Sequence, residues 1–491
     1  SFIPPRVIPP LSNIYCEATI LLSVTFFMSQ FAPLTPALRF AIVAQSCHRA
    51  AADTQGCTLR LTQAIHPVSN ICSGDTTRLE ESNLQLDLKE LRRYLLEDRR
   101  LESIDLELVR PGESCRIGYV FDIIEPRAKE TGHGTDFPGI LGPISVAGQG
   151  TTHVLRGAAV TVVDGGQPGG ERGYTERRGG MVKVLEMGGP AAPASPYSSL
   201  QHLVLVPHAF PEIERHAVLN SLRVTSVKAA TYLARAGLGQ PPAAEDVYEL
   251  EGPTVEGRRG LPRFAYIGQI HGHQHGAEAD EYILYGSNTR GMMPVPLHPN
   301  EWLDGAVVIS YSWGARGLET FFYQNHPIIT ELYRRHRAGE ITFAGTIATV
   351  SSDLEEEMRR NSMLAAQLTK SVLGADGVIL TKYVGGAPHS DMFETARLCE
   401  ATGVRTVIQA TDTAPDRRAE SALLMSAPGV DAVVSLSEGV DLSWRVSAAA
   451  RVIAGNPEVA EVLAPPHDLM ARALCGVTNN QGASRLRSIV Y

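Results

Sequence analysis

Hydrophobic and polar positions in the second half of the chain alternate in a way that predicts strands separated by helices. Apolar runs predict strands at 341–350, 377–382, 404–409 and 432–436. Stretches with helical spacing predict helices at 354–373, 389–402 and 417–425. The first two of these helices are followed by Gly374 and Gly403, and glycine commonly closes a helix. Strand–helix alternation with short connections predicts a doubly wound, Rossmann-like parallel sheet.

The region before this sheet has short predicted strands and glycine-rich connections. After an amphipathic helix at 86–97, strands are predicted at 104–108, 115–121 and 152–163. A strand at 203–207, a helix at 211–236 and a strand at 263–270 follow in a β–α–β order, which predicts parallel strands. The predicted fold class is therefore α/β, with a β-rich N-terminal portion before the doubly wound domains. We place a β-rich domain at 81–200, an α/β domain at 201–310, a parallel α/β domain at 311–465 and a tail at 466–491.

Residues 1–80 have a different composition and show no helix or strand period beyond one apolar run. That run, at 18–27, has about half of the roughly 20 apolar residues that a membrane helix needs. We therefore interpret residues 1–80 as a disordered or non-native extension, and we predict no membrane partner.

Composition and charge limit the classes of function. The chain has 491 residues, of which 44% are hydrophobic and 20% charged, a balance typical of globular proteins. Its net charge of −9 argues against a nucleic-acid partner. Seven scattered cysteines form no disulfide framework and favour a reducing cytoplasm. The glycine-rich stretches match neither of the common phosphate-binding motifs, so no nucleotide cofactor is predicted.

Three histidines at alternate positions form a candidate metal site. His271, His273 and His275 follow a predicted strand, and on an extended backbone their imidazoles would face one side. The alternative is that these polar side chains line a pocket, because Gly272 and Gly276 also permit a loop that turns them apart. No carboxylate ligand is placed beside them, so we expect no metal.

A dense polar cluster at 298–304 precedes the apolar run 306–309. His298, Glu301 and Asp304 have the residue types of general acid/base catalysis. The alternative is a capped turn, with Asn300 as the helix cap and a bend at Asp304. The serine-containing turn 310–315 comes next, and a serine there is either a nucleophile or part of a simple strand-end turn.

Seven stretches in the same order resemble one known family. They are IDLELVRPGES at 104–114, DIIEPRAK at 122–129, FPGILG at 137–142, THVLRGAAV at 152–160, HPNEWLDGAVV at 298–308, YQNHPIITELYRRH at 323–336 and LGADGVILTK at 373–382. These residues resemble the alpha/beta proprotein of component B of glycine, sarcosine and betaine reductases. The D-proline reductase proprotein is a more distant relative.

The resemblance implies a reaction and its partners. Family members cleave themselves and generate a pyruvoyl group at the new N-terminus, and its carbonyl forms a Schiff base with an amine or amino-acid substrate. A selenocysteine of a partner subunit then attacks the activated carbon and expels the amine, and the two-carbon fragment leaves as acetyl phosphate. For this chain the resemblance implies reductive C–N cleavage, a self-derived pyruvoyl cofactor, and an oligomeric complex with a selenoprotein or thiol-bearing component B partner.

The cleavage position departs from the family pattern. After DGA, glycine-reductase-type members read approximately I-V-S-G-N-C, with the cysteine as pyruvoyl precursor, whereas residues 307–312 here read VVISYS. Ser312 is therefore the expected precursor and Tyr311 supplies the cleaved carbonyl. Serine-derived pyruvoyl enzymes use the hydroxyl in the same role.

The sequence pattern and the resemblance together give candidate supporting residues. The catalytic candidates are His298, Glu301, Asp304 and His326, of which the first two and the last are candidate bases for cleavage. The candidate substrate-binding residues are Asn300, Gln324 and Asn325, together with Gly385 and Gly386, which follow the predicted strand 377–382. Two alternatives stay open: an unprocessed paralogue that acts as a binding or scaffold subunit, and a metal-dependent enzyme that uses the three histidines at 271, 273 and 275.

Overall fold

The chain folds as a mixed α/β protein. The computed structural model describes residues 59–165, 183–250, 260–272, 281–310, 318–352, 354–382, 387–410, 429–430, 432–435, 442–477, 481–482, 484–486 and 489–490.

The folded part begins before the predicted boundary at residue 80. Strand β1 (Arg60–Pro67) lies between β9 (Gly150–Arg156), to which it is parallel, and β13 (Ala244–Glu249), to which it is antiparallel. Its Leu61 and Ala64 are buried. Residues 59–80 therefore belong to the fold and not to an extension, because distant strands cover the apolar positions of β1. The neighbouring short elements are β2 (Asn70–Ser73), β3 (Arg78–Glu80), β4 (Asn83–Leu86) and α1 (Leu88–Leu95).

The N-terminal portion is rich in strands, as predicted. A four-stranded sheet has the order β5-β12-β10-β7, and β8 pairs with β9 at the edge of the β1 sheet. Helix α2 (Arg215–Ala234) packs against this portion and buries Val218, Leu222 and Val227. The strands are β5 (Leu101–Val109), β6 (Cys115–Gly118), β7 (Val120–Ile124), β8 (Arg127–Lys129), β10 (Ala158–Val163), β11 (Val184–Glu186) and β12 (Gln201–Ala209).

One predicted strand pairing is wrong. The strands expected to form a β–α–β unit around α2, β12 and β14 (Arg263–His271), lie in separate sheets. Strand β12 instead pairs in parallel with β10 and antiparallel with β5. Both strands are largely apolar. An apolar pattern predicts that a strand is buried, but it does not determine which strand will lie beside it in the sheet.

A seven-stranded sheet forms the second half of the fold, with the order β17-β18-β14-β19-β20-β21-β25. The strands from β18 to β21 in this order are mutually parallel, and the edge strands β17 and β25 are antiparallel to their neighbours. The predicted helix at 417–425 lies outside the described residues. The strands are β17 (Val295–Leu297), β18 (Thr342–Val350), β19 (Gly377–Thr381), β20 (Arg405–Ala410), β21 (Ala432–Ser435) and β25 (Ile489–Val490).

Helices and small strands complete the structure. The helices are α3 (Pro299–Leu303), α4 (Thr320–Gln324), α5 (Pro327–Arg337), α6 (Glu355–Gln367), α7 (Ala387–Ala401) and α8 (Pro457–Leu463). The remaining strands are β15 (Tyr282–Leu284), β16 (Ser287–Asn288), β22 (Ser443–Val446), β23 (Arg451–Ile453) and β24 (His467–Met470). The predicted tail thus contributes β24, which pairs with β22, and β25, which pairs with β21.

One short segment passes between the two largest hydrophobic cores. Ala306 and Val307 pack in the core beside the seven-stranded sheet, which contains Trp302. Val308 and Ile309 pack in the core of the N-terminal portion. The segment therefore lies where the two halves of the fold meet. In the part of the chain that the structure describes, no helix is long and apolar enough to cross a membrane.

Candidate active site

The buried segment 304–310 begins at an anchored carboxylate. Asp304 accepts hydrogen bonds from Lys129 Nζ, from the Gly148 backbone N–H at 2.7 Å and from Thr152 Oγ1 at 2.7 Å. The side chains of Lys129 and Asp304 are 6% and 2% exposed. A buried ion pair of this kind requires every polar atom to have a partner. Asp304 therefore fixes the start of the segment.

A second buried ion pair holds the end of α3 against α4. Arg127 bonds to Glu125 at 2.5 Å and to the Leu303 carbonyl oxygen at 2.6 Å. It also donates to Asn325 Oδ1 at 3.0 Å. Gln324 exchanges hydrogen bonds with the backbone of Glu125 through both ends of its amide. Gln324 and Asn325, two of the predicted substrate-binding residues, thus connect α4 to Glu125 and Arg127.

The chain between this anchor and residue 310 is paired with a hairpin. The Ala306 carbonyl oxygen accepts the Tyr285 N–H at 2.8 Å, and the Val308 N–H donates to the Ile283 carbonyl at 3.1 Å. Residues 306–310 are all at most 1% exposed. The segment is buried and makes one isolated antiparallel bridge, between Val307 and Leu284.

Ile309 and Thr320, on either side of residues 310–319, are hydrogen-bonded to each other. The Ile309 N–H donates to Thr320 Oγ1 at 3.2 Å. Asp122 in turn accepts from the Thr320 N–H at 2.9 Å, from Thr320 Oγ1 at 2.8 Å and from Ser226 Oγ at 3.1 Å. The carbonyl oxygen of Ile309 accepts a hydrogen bond from Arg223. Both polar groups of Ile309 are therefore held by buried side chains.

Arg223 belongs to a chain of buried charged groups that reaches the sheet. Its guanidinium lies 3.8 Å from Glu281 Oε2, and Glu281 Oε1 lies 3.3 Å from His271 Nε2. His271 Nδ1 is 3.1 Å from Thr289 Oγ1. All four side chains are at most 2% exposed. His271 therefore faces this network.

Of the three histidines proposed as metal ligands, only His271 is described. His273 and His275 lie outside the described residues. Among the residues that the structure describes, no group of three or more histidine, cysteine, aspartate or glutamate side chains has the arrangement of a metal site.

Two buried acids, Asp122 and Glu319, lie beside Thr320. Burial raises the pKa of Asp122 to about 6, against the hydrogen bonds from Thr320 and Ser226 that favour its charged form. Burial likewise raises the pKa of Glu319 to about 7, although the Tyr197 hydroxyl donates to its Oε2 at 3.0 Å. Groups that titrate near neutrality can both accept and donate a proton, which makes this pair candidates for acid/base chemistry.

The predicted cluster at 298–304 is largely a helix cap. His298, and not Asn300, is the N-cap of α3: its Nδ1 accepts the Asn300 N–H at 3.2 Å, and Glu301 Oε2 accepts the His298 N–H at 2.5 Å. Glu301 Oε1 accepts the Tyr285 hydroxyl at 2.5 Å. Burial lowers the pKa of His298 to about 4, so that its ring is neutral at pH 7.

Asn300 is a buried structural residue. Its Nδ2 donates to three backbone carbonyls, including those of Gly148 at 3.0 Å and Tyr248 at 3.1 Å, and its Oδ1 accepts the Tyr333 hydroxyl. Gly148 has a positive φ of +84°, and an added Cβ there would lie 2.7 Å from the side chain of Asn300. Asn300 therefore packs directly against the backbone at Gly148.

His326 occupies an aromatic core at the start of α5. Its Nε2 lies 3.0 Å from the Tyr266 hydroxyl, and its Nδ1 accepts the Ile329 N–H at 3.5 Å. Trp302 packs edge-on against its ring. Burial lowers the pKa of His326 to about 3, so it is a neutral residue with both nitrogens engaged. Tyr311, Ser312, Gly385 and Gly386 lie outside the described residues.

Comparison with known proteins identifies the family. The sequence profile of the glycine/sarcosine/betaine reductase component B subunits matches residues 59–472. The chain belongs to this family. It is 32% identical over 372 residues to the glycine reductase complex component B subunits alpha and beta of Acetoanaerobium sticklandii, covering 75% of this chain and 83% of that protein.

Other component B subunits match to a similar extent. The sarcosine reductase complex component B subunit alpha of Peptoclostridium acidaminophilum is 30% identical over 374 residues, which cover 76% of this chain and 84% of the relative. The betaine reductase complex component B subunit alpha of the same organism is 29% identical over 347 residues, covering 69% and 75%. No solved structure matches the chain.

The stretches that resemble component B converge on one segment in space. Asp122 and Lys129 from DIIEPRAK, and Thr152 from THVLRGAAV, contact the two ends of the stretch 304–320. Phe137 from FPGILG lies against Gly305, where an added Cβ would be 2.9 Å from its ring. Residues far apart in this component B sequence thus meet at Asp304, Gly305 and Thr320.

Sequence reasoning missed the polar groups around Ile309 and Thr320. These are Asp122, Tyr197, Arg223, Glu281, Glu319 and Thr320. One signal was available in the sequence: Arg223 lies within the largely apolar helix α2. A charged residue that is buried there requires a partner of opposite charge or hydrogen-bond acceptors. Asp122 also opens a stretch shared with the family, but nothing local connects it to Thr320, 198 residues later.

Proposed function

We propose that this chain is a subunit of a glycine/sarcosine/betaine reductase-like complex and that it forms a pyruvoyl group by self-cleavage between Tyr311 and Ser312. The observation that supports the proposal is the hydrogen-bonded pair of Ile309 and Thr320, which lie on either side of residues 310–319. The Ile309 N–H and carbonyl oxygen are held by Thr320 and Arg223, and two buried acids adjoin this pair.

The residues present fit the requirements for serine-based maturation. Ser312 supplies the hydroxyl nucleophile. The bonds at Ile309 restrain the backbone three residues before it, and such restraint favours attack on a neighbouring carbonyl. The nearby acids supply proton transfer. Serine replaces the cysteine of the family pattern, so the first product would be an ester and not a thioester.

When formed, the pyruvoyl group would supply an electrophilic carbonyl for the amine of the substrate. The attacking thiol or selenol is then expected to come from a partner, because no cysteine lies in the stretch 298–326. Among the described cysteines, burial raises the pKa of Cys115 to about 11 and that of Cys399 to about 12. Burial also raises the pKa of Cys475 far above its usual value. These three thiols are protonated and buried, so they are poor nucleophiles.

The denatured mass of the purified protein tests this proposal. Cleavage before Ser312 gives chains of 311 and 180 residues, and the second carries a carbonyl that hydroxylamine or borohydride modifies. Ser312→Ala should give one uncut chain, and Ser312→Cys should still be cut, because sulfur can take the role of the hydroxyl. An uncut wild-type chain that hydroxylamine leaves unmodified would refute pyruvoyl formation.

The second candidate is an unprocessed paralogue that binds or supports a related subunit. The residues Tyr311 and Ser312 favour it, because family members of the glycine reductase type have asparagine and cysteine there. This candidate predicts one uncut chain that co-purifies with a component B partner. A protein that is uncut and binds no such partner would contradict it.

A further inference from the structure

Two buried histidines and one partly exposed glutamate form a hydrogen-bonded chain across neighbouring strands. His66 in β1 and His153 in β9 are 2% and 4% exposed, and their rings lie within 13° of parallel with centroids 5.1 Å apart. His66 Nε2 lies 2.9 Å from His153 Nδ1, and His153 Nε2 lies 2.7 Å from Glu130 Oε2. Glu130 directly follows β8, which pairs with β9. These residues take no part in the candidate active site, so the buried pair requires another explanation.

The carboxylate of Glu130 determines where the protons of both rings lie. An ionised carboxylate only accepts hydrogen bonds, so His153 must donate through Nε2. A neutral His153 then has a lone pair on Nδ1, and His66 must donate to it through Nε2. The His153 hydrogen bond lowers the pKa of Glu130, so the carboxylate stays ionised, and the Thr131 N–H donates to its Oε1 at 3.1 Å. At neutral pH the chain therefore has one arrangement of protons.

This chain accommodates one added proton but not two. A proton on His66 Nδ1 leaves both hydrogen bonds intact. A further proton on His153 Nδ1 would place two N–H donors and two positive charges face to face across 2.9 Å. Burial, and to a smaller extent the neighbouring His153, lowers the pKa of His66, so even the first proton binds less readily than in an opened chain.

The packing around His66 leaves its ring little room to turn away from His153. Gly237 ends the helical turn Arg235–Gly237, and an added Cβ there would lie 3.0 Å from His66 Cδ2. On the backbone, β1 and β9 are parallel, with Ala64 opposite His153 and His66 opposite Leu155. A conflict between the rings is therefore relieved by separation of the two strands.

The neighbouring charged groups have other partners or lie in solvent. His133, on the turn after β8, accepts the Thr151 N–H at 3.0 Å, and Arg235 lies 3.8 Å from Asp136. Glu245 of β13 lies opposite Ala64 and is exposed. Other charged residues of the elements packed around β1 and β9 are bonded elsewhere: Arg223 to the Ile309 carbonyl, Lys228 to Tyr94 and Glu97, Arg78 to Glu80, and Arg156 to Asp246. Among the described residues, Glu130 is the carboxylate hydrogen-bonded to the pair.

We propose that Glu130, His153 and His66 form a pH-sensitive latch that holds β1 against β9 at neutral pH and releases it on acidification. In the opened segment both histidines accept protons independently, whereas the closed latch holds at most one. Protons therefore favour the open form as the pH falls below the ordinary histidine pKa of about 6.5. Strand β9 also donates to Asp304 through Thr152, which connects the latch to the anchored start of the segment 304–310.

Hydrogen–deuterium exchange of the full chain at pH 7.5 and pH 5.0 tests the latch, with amide rates corrected for the intrinsic effect of pH. For each proton that the closed form excludes, the opening constant should rise about 30-fold between these pH values, given a histidine pKa of about 6.5 in the open form. The closed latch excludes at least one proton. Protection of peptides that contain Arg60–Pro67 should therefore fall by at least about 30-fold in the wild type.

His66→Gln removes the conflict and keeps a hydrogen-bonding partner for His153. The amide can donate to a neutral His153 Nδ1 or, after rotation, accept from the protonated ring. The fall in β1 protection should therefore shrink to less than about 3-fold. His216→Gln, at a histidine of α2 whose side chain is 60% exposed, is the matched control and should keep the wild-type fall. Glu130→Gln removes the charge that favours the one tolerated proton, so protection should fall further than in the wild type.

Thermal melts at pH 7.5 show whether the variants fold, and the wild type alone can refute the latch. If β1 protection in the wild type changes by less than about 3-fold, the closed pair takes up protons as readily as the open one, and the inference is wrong. Equal falls in the wild type and His66→Gln would overturn it too, because the effect would then belong to other groups. An equal fall in Glu130→Gln would contradict the role of its carboxylate. None of these outcomes depends on cleavage at Ser312.

Discussion

The ion pair between Lys129 and Asp304 anchors the segment that leads to Ser312, and Asp304→Asn tests its importance. Asparagine has the same shape and keeps one oxygen acceptor, so the variant removes the charge and opens no cavity. It leaves the Lys129 ammonium, which is 6% exposed, without its carboxylate. It also weakens the bonds that the carboxylate accepts from Gly148 and Thr152.

The expected loss of stability is large because both charges are buried. Removing one partner of a buried ion pair typically costs about 3–5 kcal/mol, since the other charge stays in a poorly solvated site. With an m value of about 3 kcal/mol/M, the urea midpoint should fall by about 1 to 1.7 M.

Urea unfolding followed by tryptophan fluorescence measures this change, because Trp302 is buried in the adjoining helix α3. The control is Asp468→Asn, which removes the same charge from an exposed pair with Arg445, in which the arginine and aspartate side chains are 68% and 64% exposed. Exposed pairs contribute at most about 1 kcal/mol, so the midpoint of the control should barely move. If Asp304→Asn lowers the midpoint no more than Asp468→Asn does, the anchor role assigned to the pair is wrong.

Three further substitutions test the packing and the charge state of the site. Gly139→Ala should be severely destabilising in thermal melts, because its Cβ would lie 1.9 Å from the Tyr285 carbonyl oxygen; Gly132→Ala, at a similar positive φ in open space, should cost only about 1 kcal/mol. Trp302→Phe loses an indole hydrogen bond of 2.7 Å in the core and should cost about 2–3 kcal/mol in urea unfolding. Burial lowers the pKa of His326 to about 3 in the folded state, whereas the histidine of the unfolded chain takes up its proton near the ordinary pKa of 6.5. Protonation of this histidine in the unfolded chain therefore lowers the stability of the wild type as the pH falls below 6.5. Between pH 7 and pH 5 the free energy of unfolding of His326→Asn should fall by about 2 kcal/mol less than that of the wild type. Equal midpoints for the two glycine variants, an unchanged midpoint for Trp302→Phe, or identical pH dependences for His326→Asn and the wild type would contradict the respective prediction.

Local sequence patterns located most of the regular elements. The apolar runs at 341–350, 377–382 and 404–409 are strands that the structure places side by side and parallel to β14 or to one another. The helix predicted at 389–402 is α7, and Gly403 after it has a positive φ of +76°. These features depend on periodicity and on the backbone freedom of glycine, which act over a few residues.

Other features depend on distant partners. Strand β1 looked like part of an extension because its own residues do not show that β9 and β13 will cover it. His298, predicted from its residue type as a base, also caps α3, and Asn300 donates to three backbone carbonyls. A polar residue type shows which chemistry is available, whereas its partners show whether that chemistry is already used for folding.

By itself, the sequence determined the family, the α/β composition, and the position of Ser312 after a buried apolar segment. Only the tertiary structure decided which charged groups surround that segment. Asp122, Arg223 and Glu319 are separated by about a hundred residues or more, and they meet because the N-terminal strands, α2 and α4 pack together. The raised pKa values of Asp122 and Glu319 arise from that burial, and burial is a property of the whole fold and not of any short stretch of sequence.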